Sequence, residues 1–265
     1  MARTVLHLSP HPDDEIAGMP ATLMALRDAG WRVVNVACGL GRPAQHQRRR
    51  AEVEEACRRA RFDLLVCDPP LPLSAGDDLA GAEETLVELL GQLLSELAPA
   101  LVCSPSPHDG HHAHELVGRA AVRALEAHAG SAPPLWLWGV WADLPFPTLI
   151  APFDRARLAE IQHALAAHAS ELARLPLDRL LEARAVLNAG VGAERVHGSG
   201  IAGDPAVELA ELLCEVMPGP AGWQLGPPRR FDAEAPLASP SSRPIGWWLA
   251  SESPHARLRR EIAGT

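Results

Sequence analysis

The sequence contains neither tyrosine nor lysine, so its basic side chains are all arginine or histidine. Without lysine, Schiff-base catalysis on a lysine is excluded. Cysteine is sparse: Cys38, Cys57, Cys67, Cys103 and Cys214 form no Cys-x-x-Cys pair, and their number is odd. Buried thiols in a reducing compartment are therefore expected, rather than a disulfide framework. No stretch reaches the ~18 apolar residues of a membrane span, and the N-terminus shows no signal-peptide pattern. A cytoplasmic location is the expectation. Excess positive charge is also missing. The net charge of −9 at pH 7 leaves no basic stripe to offset phosphate repulsion, which argues against a nucleic-acid partner. The densest basic run, Arg48, Arg49 and Arg50 with Arg58, Arg59 and Arg61, is interleaved with Glu52, Glu54 and Glu55 and reads as a solvated helix face.

What remains is the composition of an ordinary globule, 47% hydrophobic and 22% charged over 265 residues. That length suits one large or two small domains. Apolar runs of strand type at Thr4–Leu8, Arg32–Cys38, Phe62–Cys67, Ala100–Cys103 and Leu135–Trp141 alternate with helical patterns over 16–29, 45–61, 79–97 and 114–129. This alternation predicts an α/β fold of three layers, αβα and Rossmann-like, around a mostly parallel sheet of about five or more strands. Two further helices are expected over 154–175 and 178–191. The Pro- and Gly-rich tail is expected to lie on the same domain, giving a main domain over 1–200 and an extension over 201–265. The three Trp of the fifth run read as core packing, and no internal repeat is visible.

The first strand stops at Ser9-Pro10-His11-Pro12-Asp13-Asp14-Glu15. His11 and Asp14 stand three residues apart, close enough for one turn to aim an imidazole and a carboxylate at one ion, with Asp13 left free beside them. The same stretch also reads as a helix start, with Asp13 or Asp14 as N-cap and Glu15 near the positive end. A second cluster, His108-Asp109-Gly110-His111-His112-Ala113-His114-Glu115, follows the fourth strand. His111 and His114 would share one helix face there. A His–Asp pair from the first loop and one His from the second give three N/O ligands with an open position, the pattern of catalytic rather than structural zinc. Both loops leave the carboxyl ends of strands in one sheet, strands 1 and 4, where such folds bind ligands.

These residues resemble the PIG-L/LmbE family of zinc-dependent N-acetylglucosaminyl deacetylases. The resemblance rests on His11-Pro12-Asp13-Asp14-Glu15 and Gly110-His111-xx-His114, with support from Arg49-xx-Glu52 and Ala164-Leu165-xx-His168-x-Ser170. It implies His11, Asp14 and His114 as metal ligands, Asp13 as general base and His111 as electrostatic and acid partner. Zn²⁺ is the implied cofactor, and Fe²⁺ would accept the same ligands. The implied reaction removes acetyl from an acetamido sugar or glycoconjugate. Arg49 is a candidate substrate contact, while His168 and Ser170 read as structural. The chain departs from the family at Ala113, where an Asp usually orients the catalytic His; Asp109 or Glu115 are the available substitutes. Leu40 and the missing tyrosine bear on substrate and rate. Two alternatives stand beside deacetylation: an amidase acting on a larger or thiol-conjugate amide, and a metal-binding protein of the same fold with degenerate catalysis. A homo-oligomer is compatible with the sequence.

Overall fold

Side chains alternate along the first strand in a way that builds two cores at once. Val5 points into one apolar cluster and Leu6 and Leu8 into another, all fully buried. The same division recurs along the next strands: Val33 and Ala37 face one way, Val34 and Val36 the other. Strands apolar on both faces are those of a parallel sheet covered on both sides. The computed structural model describes residues 3–128, 130–219, 222–239 and 241–263. In it the chain runs β1 Thr4–Ser9, α1 Asp14–Ala17, α2 Pro20–Asp28, β2 Arg32–Ala37, α3 His46–Ala60, β3 Asp63–Val66, α4 Leu79–Leu97, β4 Leu101–Pro105, α5 His112–Ala127 and β5 Leu135–Trp138. It continues through β6 Leu149–Phe153, α6 Arg155–Leu165, α7 Ala169–Leu172, α8 Leu177–His197, β7 Leu209–Gly219, β8 Gly222–Leu225, β9 Arg229–Arg230, α9 Gly246–Leu249 and α10 Pro254–Ala263.

Among the described residues, nine strands form one sheet in the order β3-β2-β1-β4-β5-β7-β6-β9, with β8 also on β7. Pairing is parallel from β3 through β5, and β7 enters antiparallel to β5, β6 and β8. Residues of α4 and α5 belong to one core, those of α2, α3 and α6 to the other. The expected three-layer α/β architecture is therefore present. Strand order reverses between β1 and β4, which opens a crevice at their carboxyl ends. All five cysteines are buried and free. No helix among the described residues is long and apolar enough to cross a membrane.

Several elements differ from the sequence expectation, each for a local reason. The helix expected over 16–29 is two, α1 and α2, because Pro20 takes the first position of α2 and Gly18 lies against Trp138. A Cβ on Gly18 would come within 2.8 Å of the Trp138 ring. The helix expected over 154–175 breaks before α7, where the His168 side chain turns fully inward to Glu15. The fifth strand ends at Trp138 because the N–H groups of Val140, Trp141 and Ala142 go to the Asp109 carboxylate instead of a neighbouring strand. The expected helix end at Ala129 lies outside the described residues.

Segment 201–265 supplies β7, β8 and β9, with β7 between β5 and β6. Two glutamates interrupt the apolar pattern of β7, and both are buried and bonded. Glu215 accepts from the Trp136 indole at 2.9 Å and from Arg229 at 3.1 Å. Glu211 accepts from the backbone N–H of Ala21 at 2.7 Å and of Thr22 at 2.8 Å, and from the Thr22 hydroxyl at 2.6 Å. It thus caps α2 from a strand distant in sequence, satisfying N–H groups that a helix start leaves free. Glu211→Ala strands these donors in the interior and should cost about 2–4 kcal/mol in urea unfolding. A midpoint equal to that of the wild type would show that α2 does not need this cap.

Candidate active site

Loop residues after β1 and the first turn of α5 meet at the crevice between β1 and β4. In the first loop the His11 backbone N–H donates to Asp14 Oδ2 at 2.8 Å, and His11 Nδ1 lies 3.2 Å from the same oxygen. The other oxygen, Asp14 Oδ1, is 3.3 Å from His114 Nε2. One carboxylate therefore bridges imidazoles from the two loops. Nitrogens of His11, His111 and His114 all lie within 4.8 Å of one another. Burial alone would push the Asp14 carboxyl up, but the imidazoles of His114 and His11 hold it well below its usual range. Burial likewise opposes the charge on His114, yet Asp14 and Asp109 carry its pKa up to about 10.

The donor set fits a divalent ion. His114 Nε2 is buried and makes no well-formed hydrogen bond, its 3.3 Å contact with Asp14 Oδ1 falling short of one, while its Nδ1 contacts Asp109 Oδ2 at 2.7 Å. Asp109 is itself held by the N–H groups of Val140 at 2.8 Å and of Trp141 and Ala142 at 3.2 Å. With a cation displacing the proton at Nε2, that arrangement would keep the remaining ring proton on Nδ1, facing Asp109. Asp109 therefore serves His114 and not His111. Glu115 is engaged elsewhere, with the Ser253 hydroxyl at 2.6 Å, the Gly110 N–H at 3.2 Å and the Arg259 guanidinium. Neither substitute considered for the missing carboxylate at Ala113 reaches His111. His111 is instead set by its neighbours' rings. It stacks on His112 at 4.5 Å and on Trp141 at 5.8 Å between centroids, and His112 is tied to the Leu73 carbonyl at 2.9 Å. Burial, with repulsion from His11, His114 and His112, lowers the His111 pKa to about 3, so the ring is neutral at physiological pH.

Asp13 stands beside the cluster without joining it. Its φ of 133° is rare for a residue with a side chain, and such strain concentrates at functional positions. Its N–H donates to Glu15 Oε2 at 3.0 Å, and Glu15 Oε1 contacts His168 Nε2 at 2.5 Å, both side chains being fully buried. His168 thus anchors the strained turn from α7, a link only its motif spacing hinted at. Burial, reinforced by the adjoining Asp14, pushes the Asp13 carboxyl well above its ordinary value, the direction expected of a proton acceptor working near neutrality. Arg49 lies 3.9 Å from Asp13 and 3.5 Å from Glu171, and donates to the Pro12 carbonyl at 2.9 Å. It lines the pocket over the cluster together with Trp141, Glu171 and Arg174. Ser170 sits one layer out, donating its hydroxyl to Glu52 at 2.6 Å. His108 is remote from the cluster, its Nε2 lying 2.8 Å from the Trp248 carbonyl. Asp109, Trp141 and Glu171 complete the site, and periodicity does not single them out.

Residues 6–125 match the family model of PIG-L, GlcNAc-PI de-N-acetylase, in agreement with the resemblance that the motifs carry. No curated protein sequence matches the chain. Among solved structures, GalB, the 4-carboxy-2-hydroxymuconate hydratase from Pseudomonas putida KT2440, has a TM-score of 0.60 at 18% identity, covering 82% of this chain and 97% of its own. The N,N'-diacetylchitobiose deacetylase from Pyrococcus horikoshii has a TM-score of 0.56 at 21% identity, covering 81% and 84%. The zinc-inhibited form of teicoplanin deacetylase Orf2 has a TM-score of 0.56 at 20% identity, covering 80% and 98%. At these identities the likeness shows the fold, which serves a hydratase as well as deacetylases.

Proposed function

We propose that this chain, with its PIG-L match over residues 6–125, is a metal-dependent hydrolase that removes the acyl group from the nitrogen of an acetamido sugar or glycoconjugate. The observation that carries this reading is the Asp14 carboxylate set between His11 Nδ1 at 3.2 Å and His114 Nε2 at 3.3 Å, with a nitrogen of His111 within 4.8 Å of both imidazoles and Asp13 lining the same pocket. His11, Asp14 and His114 would hold the metal; Zn²⁺ suits them, and Fe²⁺ is compatible with the same donors. Bound there, a divalent ion would supply the acidity that makes water nucleophilic near pH 7 and polarises a carbonyl.

The chain's own groups account for the remaining work. Asp13 accepts the proton of the attacking water, which its raised pKa favours. His111, neutral and held in plane by His112 and Trp141, donates a hydrogen bond to the oxygen on which negative charge develops. The proton taken by Asp13 then passes to the departing amine. Arg49, Glu171 and Arg174 offer charged partners to sugar hydroxyls at the pocket mouth. Ala113 removes the usual orienting carboxylate, and stacking substitutes for it, so this reading is favoured over degenerate catalysis.

Metal analysis of the purified protein, paired with amine release from N-acetylglucosaminides and from thiol-conjugate amides, tests the reading. A stoichiometric divalent metal with free amine from an acetamido sugar is expected. Bound metal without amine release from any amide would leave a binding protein instead. Asp109 offers a finer check. Asp109→Ala should weaken metal binding about 10–100-fold in chelator competition by removing the acceptor that holds the His114 ring. Asp109→Asn, which keeps an acceptor for His114, should recover part of that loss. Equal metal affinity in both variants and the wild type would deny Asp109 this role.

A further inference from the structure

The turn that carries His111 is gripped from the far end of the chain. Gly110 adopts a φ of 82°, and its N–H and its carbonyl are both bonded to one ion pair. The N–H donates to Glu115 Oε1 at 3.2 Å, and the carbonyl accepts from Arg259 Nη1 of α10 at 2.8 Å. The other arm of the same guanidinium donates to Glu115 Oε2, which closes a ring of contacts around the turn. Glu115 is buried, and the Ser253 hydroxyl donates to its Oε1 at 2.6 Å. Ser253 in turn accepts from the His255 N–H at 3.2 Å as α10 begins. A Cβ on Gly110 would come within 3.5 Å of the His255 ring, so α10 lies directly against the turn.

His111 needs such a grip more than its neighbours do. Asp109 and His114, on either side of it, are tied to each other and to the N–H groups of 140–142. Among the described residues His111 Nδ1 has no hydrogen-bond partner, and ring stacking alone aligns the imidazole. Stacking sets the tilt of a ring but lets it slide in its own plane, so the main chain must fix where the ring stands. The Gly110 carbonyl belongs to the peptide that joins Gly110 to His111, and Arg259 holds it. We infer that Arg259, acting through that carbonyl and through Glu115, is a positioning residue for His111, and that α10 thereby sets the geometry of the site. This rests on the hydrolase reading, in which His111 acts on the substrate's oxygen. The Arg259 side chain is 42% exposed, so truncating it opens no cavity in the core.

The test compares the full chain with Arg259→Ala and Arg259→Lys in amine release from an N-acetylglucosaminide, in metal content and in amide hydrogen exchange. Arg259→Ala should lower kcat about tenfold, with KM and bound metal as in the wild type, because a displaced catalytic group costs turnover rather than binding. The Gly110 amide should exchange about tenfold faster, while protection along β1 and β4 is unchanged. Arg259→Lys keeps a cation for Glu115 but cannot span both acceptors, so it should recover part of the lost kcat. Ser253→Ala, which loosens Glu115 from its other side, should lower kcat in the same direction by about threefold. A lower urea midpoint in Arg259→Ala with kcat unchanged would make α10 a merely structural element and overturn the inference. Loss of metal in step with kcat would also overturn it, since the ligands and not His111 would then have moved. Absence of amine release from the metal-loaded wild type overturns the hydrolase reading instead, and the Gly110 exchange rate still decides whether Arg259 grips the turn.

Discussion

Asp13→Asn should retain the bound metal and lower kcat roughly 10²–10⁴-fold. Asparagine preserves the size of the side chain and the N–H that donates to Glu15, and it tolerates positive φ better than most residues. The backbone turn should therefore survive, and with it the positions of His11 and Asp14. Only the capacity to accept a proton is removed. KM should move little, because the carboxyl acts on water rather than on the sugar. The acid limb of the wild-type pH–rate profile, set by protonation of this buried carboxyl, should be absent from the residual activity. Metal stoichiometry and steady-state kinetics on one preparation provide the measurement. Turnover equal to the wild type would remove Asp13 from proton transfer.

His114→Ala should behave differently, losing both metal and turnover. His114 is fully buried, and its two nitrogens face Asp14 and Asp109. Removing the imidazole leaves two carboxylates in the interior without their shared partner. Breaking a buried pair of this kind costs about 3–5 kcal/mol, so the urea midpoint should fall together with the metal content. Added Zn²⁺ should not restore turnover, since His111 is then the second-loop imidazole beside His11, and the proposed reading has it acting on the substrate's oxygen. A His114→Ala protein that keeps a full complement of tightly held metal would show that His11, His111 and Asp14 suffice, and would reassign His111 as a ligand.

The sequence announces the site more plainly than its supports. His11, Asp14 and His114 are visible because two polar clusters each follow an apolar strand, and parallel topology brings such strand ends together. The helix over Leu79–Leu97 is legible from its leucine stripe, and the structure has it at those residues. What holds the site is harder to read. The link from Asp109 to the N–H groups of 140–142 joins loops about thirty residues apart, and no periodicity encodes it. The orientation of His111 depends on ring stacking with Trp141, which in sequence looks like the end of a core strand. β7 is obscured because two buried glutamates break its apolar run, and only their distant partners make them affordable.

That late strand has a consequence for how the molecule is made. Until residue 219 has left the ribosome, β5 presents a bare backbone edge, and the first turn of α2 waits for a carboxylate not yet synthesised. Such an edge is an invitation to sticky encounters between nascent chains. Fragments trimmed to the front half should accordingly come out insoluble, even though they carry every proposed ligand. Expression trials that place the cut on either side of β7 would reveal this as an abrupt change in soluble yield.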